Sequence, residues 1–157
     1  MAGAVERFRQ AARARGLDLD IRTFPEGTKT AEAAASAVAC DVAQIVKSLV
    51  FVADGRPILV LTSGANRADP ERLAALAGAS EVRRATPEEA REATGFGIGG
   101  TPPFGHPQAL RNLMDADLLA YEQLWAAAGA PDAVFPTSPE ELLRATGAQV
   151  EEFKTRT

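Results

Sequence analysis

The sequence predicts a mixed α/β fold: a curved, largely antiparallel sheet with helices packed around it. Three observations carry that expectation. Asp69-Pro70-Glu71, Thr86-Pro87-Glu88-Glu89 and Ser138-Pro139-Glu140-Glu141 each put a capping side chain before a proline at the first helical position. Carboxylates then face the positive end of the helix dipole. Two apolar runs, Ser48–Ala53 and Ile58–Thr62, flank Asp54-Gly55-Arg56-Pro57, a strong hairpin signal. Short strand candidates alternate with the helices: Glu81–Arg84, Phe96–Ile98, Val134–Phe135 and Gln149–Phe153. At 157 residues the chain is expected to form one domain over residues 1–157, burying about two-thirds of its unfolded surface.

Taken in order, Ala2 to Arg15 is rich in alanine and arginine, with Val5, Phe8 and Ala12 at helical spacing and Gly16 as a stop. Leu17 to Phe24 alternates apolar and charged residues, as a half-buried strand does. Thr30 is an N-cap for an alanine-rich helix running to about Ala39, and Asp41-Val42-Ala43-Gln44 is a capping-box variant opening a further short turn. The hairpin follows, then the three proline-led helices. From Gln108 to Ala128 the abundance of Ala, Leu, Met, Glu and Gln favours helix, and Leu110, Leu113, Leu118 and Leu119 are spaced compatibly with one. No internal repeat, low-complexity tract or interdomain linker is present in the sequence.

Composition excludes several classes. Hydrophobic residues make up 46% and charged residues 24% of the chain, ordinary values for a globular protein. Charges fall early in Met1-Ala2-Gly3-Ala4-Val5-Glu6-Arg7, where a signal peptide needs its apolar segment. No apolar run approaches a membrane span, so a cytoplasmic location is expected. The net charge of −4 argues against extensive phosphate-backbone binding but leaves room for gripping a short nucleic-acid end with local cations. Lys29, Lys47, Arg67, Arg83, Arg84 and Arg111 are candidates for such a patch. The sole cysteine, Cys40, precludes an internal disulfide. With one histidine, one cysteine and no His/carboxylate motif, no metal site is expected. A cofactor is not expected either: Gly95-Phe96-Gly97-Ile98-Gly99-Gly100 has glycine density without dinucleotide or Walker spacing. No nucleophile elbow accompanies the single histidine, which argues against a covalent hydrolase.

Two features remain that carry chemistry. Gly99-Gly100-Thr101-Pro102-Pro103-Phe104-Gly105-His106-Pro107 is too rich in glycine and proline for a helix or central strand and reads as a rigid loop. Main-chain N–H groups of Gly99, Gly100, Thr101 and Gly105 can stabilise an oxyanion, while Pro102 and Pro103 stiffen the loop. Lys47 is a lone cation within the apolar run Gln44–Val52. It suits a partly desolvated ammonium aimed into a cleft, where charge acts more strongly than in water. A plain rigid turn and a snorkelling surface lysine are the bland alternatives.

The residues Thr30-Ala31-Glu32-Ala33-Ala34, Gln44–Phe51, Ser63-Gly64-Ala65-Asn66-Arg67 and Gly99–Gly105, in that order and spacing, resemble the YbaK/ProX family. These are stand-alone aminoacyl-tRNA deacylases, similar to the editing domain of bacterial prolyl-tRNA synthetases. The resemblance spans about Ile21 to Phe153. It implies the editing-domain fold, with strands near Leu110–Asp115 and Glu122–Ala127 where propensity favours helix. It also implies that Lys47 matches the lysine required for deacylation and that the loop, through Gly99, Gly100, Thr101, Pro102, Pro103, Phe104 and Gly105, grips the aminoacyl group. Asp115 matches a recurrent aspartate. Asn66 and Arg67 are candidates for contact with the terminal nucleotide, Thr30 and Ser48 for the pocket lining. His106 is a candidate for orienting water, contacting the amino group or lining the pocket.

The expected function is hydrolysis, in trans, of the ester of a mischarged tRNA carrying a small amino acid such as Cys, Ala, Ser or Thr, with tRNA-Pro as one carrier. The expected partners are the tRNA acceptor 3′ end and an aminoacyl-tRNA synthetase, with no membrane. Two competitors stand beside it: a non-catalytic protein that binds tRNA ends, nucleotides or a synthetase, and a different small-molecule hydrolase on the same fold.

Overall fold

The computed structural model describes residues 3–156. Among the described residues five α-helices pack around a mixed sheet of eight strands, the mixed α/β class that the sequence predicted. Helix α1 (Ala4–Ala14) buries Phe8 and Ala12; Ala2, placed in this helix from sequence, lies outside the described residues. Strand β1 (Arg22–Thr23) is shorter than the expected Leu17–Phe24, because only Arg22 and Thr23 pair, with Val134 and Ala133. Leu19 is buried and Leu17 and Ile21 pack against the core without a ladder partner.

Helix α2 (Ala31–Val38) starts where Thr30 Oγ1 accepts the Ala33 N–H. After a 3-10 turn at Val42–Gln44, in which the Asp41 N–H donates to Gln44 Oε1, come β2 (Ile45–Ala53) and β3 (Arg56–Ser63). Their hairpin turns at Asp54 (φ 47°) and Gly55 (φ 83°), the paired positive φ of a type I′ turn. The Asp54 carboxylate also accepts the N–H groups of Ser80 and Glu81, and these bonds hold its pKa below the usual value.

Helices α3 (Pro70–Ala77), α4 (Pro87–Thr94) and α5 (Pro139–Thr146) begin at Asp69, Thr86 and Ser138, each side chain accepting a first-turn N–H as the sequence grammar required. The remaining strands are β4 (Val82–Arg84), β5 (Arg111–Asp115), β6 (Leu124–Ala127), β7 (Ala133–Thr137) and β8 (Gln149–Glu151). Between β5 and β6 lies a 3-10 turn at Ala116–Ala120. The segment 108–128 is therefore two strands joined by a turn, as the resemblance implied and propensity did not. Leu113, Met114, Leu118 and Leu124 are fully buried there, so burial overrides intrinsic preference. Phe96–Ile98, expected as a strand, is irregular: Gly95 ends α4 in the left-handed region (φ 80°), and Phe96 is buried by tertiary packing without a ladder.

The strand order is β1-β7-β6-β2-β3-β5-β8, with β4 also pairing to β2. Pairs β2–β6, β3–β5 and β5–β8 are parallel and the others antiparallel. Alternate residues separate two faces. Val46, Val50, Leu59 and Leu61 join the main core with α1, α4 and α5, while Phe51, Ile58 and Val60 pack with Leu73 of α3. A third cluster joins Ala34 and Ala35 of α2 to Ile45, Trp125 and Val134.

Candidate active site

The sheet is split along one edge of β2. Ile45 and Val46 pair with Trp125 and Ala126 of β6, whereas Phe51–Ala53 pair with β4. Between them lies Lys47–Val50, where the Ala85 N–H reaches Val50 O at 3.0 Å. Alternate residues of β2 turn their main-chain groups to this edge, since the Asp54 N–H reaches Glu81 O in the same series. Ser48 is the member of that series facing the split, and its Oγ is buried with no hydrogen-bond partner. Buried hydroxyls rarely go unpaired.

A cavity of about 290 Å³ opens at the split, at the small end of ligand sites, about 300–1,000 Å³. Thr30, Ala31 and Ala34 form one wall, Ala126 and Ala127 another, and Ile98, Gly99 and Thr101 of the loop a third. Alanines at these positions leave the space that larger side chains would fill.

Lys47 lines this cavity, half-buried, and its Nζ donates to Asn66 O at 2.7 Å. Burial pushes its pKa below the usual lysine value. Glu32 opposes that shift, Arg84 and Arg67 add to it, and Asp115 opposes it. No carboxylate forms a salt bridge with it among the described residues.

The carbonyl that holds Lys47 is itself held. Asn66 Nδ2 donates to Asp115 Oδ2 (2.9 Å) and to Asp117 Oδ2 (2.9 Å). Asp115, 2% exposed, also accepts the Ser63 N–H on Oδ2 (3.1 Å) and the Asp117 N–H on Oδ1 (3.0 Å). Lys154 Nζ donates to Asp117 Oδ2 at 2.8 Å, which together with Asn66 holds the Asp117 carboxyl below its usual pKa. Gly64 allows the turn its path, because a Cβ there would fall 2.4 Å from Val42 O.

The structure thus brings Thr30, Lys47, Ser48, Gly99 and Thr101 together around one cavity. Asn66 and Asp115 stand behind it, in the network that anchors Lys47. The exposed Arg67 does not line it; its carbonyl accepts the Thr155 N–H. Gly100 is packed against the main chain of Ala130, where a Cβ would sit 2.7 Å from Cα, and its N–H is taken by Gly97 O at 3.2 Å. That amide is therefore not free to act as an oxyanion donor. Thr101 Oγ1 also donates to Gly97 O, at 3.1 Å. Pro102, Pro103 and Phe104 are buried behind the cavity wall. Gly105 (φ 88°) turns the chain against α1, where a Cβ would lie 3.0 Å from Ala11 Cβ. His106 is partly buried with its Nε2 2.9 Å from Pro102 O, closing the loop rather than lining the cavity. Burial lowers its pKa; the bond to Pro102 O opposes this shift and Arg15 adds to it.

The six candidate cations part company. Lys29, Lys47 and Arg84 line the cavity. Arg83 pairs with Glu89 (Nη1–Oε1 2.8 Å), whose carboxyl this pairing and the Thr86 N–H lower to about 2, and Arg111 caps the C-terminal end of α3 through Leu76 O and Ala77 O. Sequence reasoning missed Trp125, Ala126, Ala127 and Val134, which join the wall from β6 and β7. No local motif marks them; a strand register that stops at Ala126 puts them there.

Residues 25–145 match the aminoacyl-tRNA editing domain family. The chain belongs to that family. Among its relatives, the uncharacterised YwhH of Bacillus subtilis (strain 168) is 29% identical over 78% of this chain and 78% of its own length. The proline–tRNA ligase of Nitratidesulfovibrio vulgaris (strain DP4) is 33% identical over 59% of this chain, a match that spans only 16% of the ligase. A crystal structure described as that of a candidate trans-editing enzyme for prolyl-tRNA synthetase superimposes with a TM-score of 0.93 at 46% identity, covering 99% of both chains. The editing-domain fold that the resemblance implied is the fold observed.

Proposed function

We propose that the protein is an aminoacyl-tRNA deacylase acting in trans in the cytoplasm, hydrolysing the ester of a mischarged tRNA that carries a small amino acid such as alanine, cysteine, serine or threonine, with tRNA-Pro among the carriers. One observation carries the reading: a half-buried ammonium, a partnerless buried hydroxyl and a glycine-bearing loop share a small cavity in a member of the editing-domain family. The likeness to a candidate trans-editing enzyme and to prolyl-tRNA ligases supports tRNA-Pro as carrier.

In this reading the aminoacyl group enters the alanine-walled cavity and the terminal ribose stays at its mouth beside Lys29 and Arg84. A water oxygen attacks the ester carbon and the carbon–ribose oxygen bond breaks. The ribose oxygen takes a proton, leaving free amino acid and uncharged tRNA. Lys47 supplies positive charge beside the developing oxyanion or the 3′-terminal phosphate, in a setting where it is incompletely screened. The Ser48 hydroxyl offers a hydrogen bond to the bound ester. The small cavity excludes larger side chains by steric overlap, a stronger discrimination than the ~1–3 kcal/mol that one methylene gives in an apolar pocket.

The test is a panel of alanyl-, cysteinyl-, seryl- and threonyl-tRNA esters together with correctly charged prolyl-tRNA. Wild type should hydrolyse at least one small-residue ester, and Lys47→Ala should lose that activity at an unchanged melting temperature. Binding of the tRNA without turnover of any ester would instead establish a non-catalytic binding protein.

A further inference from the structure

We propose that helix α1, which lies ahead of the family match beginning at residue 25, is the element that sets the position of the cavity's glycine loop, with Arg7 and Phe8 as its positioning residues. The loop from Gly95 to His106 contributes Ile98, Gly99 and Thr101 to the cavity wall. Its two ends and its middle are each tied to α1.

At the start of the loop, Arg7 Nη1 donates to Gly95 O at 3.1 Å and its guanidinium lies over the Phe96 ring, 4.8 Å from the centroid. At the far end, the fully buried Phe8 packs on Phe104 with ring centroids 5.0 Å apart, and Phe104 in turn meets Phe135 at 6.1 Å. Arg15, which caps the end of α1, covers Phe104 at 5.5 Å, and Gly105 passes so close that a Cβ would meet Ala11 and Phe8. The middle is reached through Gly129. A Cβ there would lie 2.8 Å from Ala4 O, and its N–H donates to Gly100 O at 2.9 Å. Inside the loop, His106 bonds Pro102 O and stands edge-on to Phe96 at 6.3 Å.

The result is a span fixed at three points on one helix, with the cavity-lining Ile98, Gly99 and Thr101 between the ties. Ahead of the stiffening Pro102 and Pro103, the stretch from Gly97 to Gly100 holds three glycines in four residues and has little stiffness of its own. The ties from α1 at Gly95 and Gly100 therefore supply what that stretch lacks. Lys47 and its Asn66–Asp115 support lie apart from these ties, so loosening α1 should displace the loop and leave the lysine in place.

The exposed Arg7 is the test residue, since Arg7→Ala removes a tie without opening the core. Two readouts are followed in the full chain. The first is amide hydrogen exchange at Gly100 and Gly129, both hydrogen-bonded, with Leu59 and Val60 of β3 as internal controls. Arg7→Ala should speed exchange at the two glycines about tenfold and leave the β3 amides unchanged. The second readout rests on the deacylase reading. With the active ester, kcat should fall about tenfold at constant KM, because a group misplaced by ~1 Å costs on the order of 100-fold and this loosening is smaller. Arg7→Lys, which keeps a cation at Phe96, should recover part of both losses. Phe8→Leu, which thins the second tie, should act in the same direction. Unchanged exchange at Gly100 and Gly129 in Arg7→Ala, or an equal rise at β3, would overturn the proposal. An absence of ester turnover in wild type would instead sink the deacylase reading and leave the exchange result to decide the role of α1.

Discussion

Asp115→Asn tests the chain of contacts behind Lys47. The wild-type carboxylate is 2% exposed and accepts from the Ser63 N–H, Asn66 Nδ2 and the Asp117 N–H. An asparagine of the same shape has one acceptor oxygen and one NH₂. With the oxygen kept toward Ser63 and Asn66, the NH₂ faces the Asp117 N–H, donor against donor. With the amide flipped, it faces two donors instead of one. At least one hydrogen bond is lost and one donor is left unpaired, at about 1–3 kcal/mol for the unpaired group, and the surviving bonds lose the strength of a charged acceptor. The expected loss is about 2–4 kcal/mol, read as a lower urea midpoint at constant slope. The Asn66 carbonyl that receives Lys47 Nζ should shift with its turn, so deacylation should fall further than the folded fraction does. A midpoint within about 0.5 kcal/mol of wild type, the range of an ordinary surface substitution, would refute the view that Asp115 holds the turn.

Two pH dependences follow. If the Lys47 ammonium does the work, deacylation corrected for spontaneous hydrolysis should fall as pH rises, with its midpoint below the ordinary lysine value of 10.5 because burial disfavours the charge. A rate that stays flat through pH 10.5 would remove Lys47 from the chemistry. Burial holds the His106 pKa in the fold below the ordinary value, whereas the unfolded histidine takes up a proton near 6.5. The unfolded state therefore binds more protons as pH drops through about 6.5, and stability falls until the lower native pKa is reached. Urea midpoints at pH 7.5 and 5.5 should differ more in wild type than in His106→Asn; equal differences would mean that His106 does not titrate on unfolding.

What could be read from the sequence was what is encoded locally. Asp69, Thr86 and Ser138 cap their helices because a side-chain oxygen, a proline and early carboxylates act within one turn. Asp54-Gly55 makes its hairpin for the same reason. Lys47 was legible because an ammonium in an apolar run is costly wherever the strand goes. Phe96 misled because apolar character alone does not separate a strand from a loop residue buried by a distant helix. Segment 108–128 was helical by propensity and is two strands with a turn between them, and only the family resemblance pointed there. The cavity wall was beyond reach: Ala126 and Ala127 meet Lys47 through a parallel pairing across about eighty residues, which no window of sequence contains.

The same split of the sheet that hid the cavity from the sequence explains how β2 can present unpaired polar groups to it. A continuous sheet would satisfy β2 on both edges and offer nothing to a ligand. Here the pairing of β2 with β6 ends at Val46–Ala126 and its pairing with β4 starts at Phe51–Arg84, so the main chain of Ser48 faces space and its hydroxyl stays without a partner. Lys47, one residue earlier, spends one of its donors on Asn66 O and keeps the others. An ammonium so placed adds little to folding, since half-burial costs solvation that a single carbonyl only partly offsets. Apolar residues in its place would fold as well or better. The arrangement makes physical sense as binding capacity held ready: unpaired donors fixed in position before a ligand arrives, so that little reorganisation is left when it does.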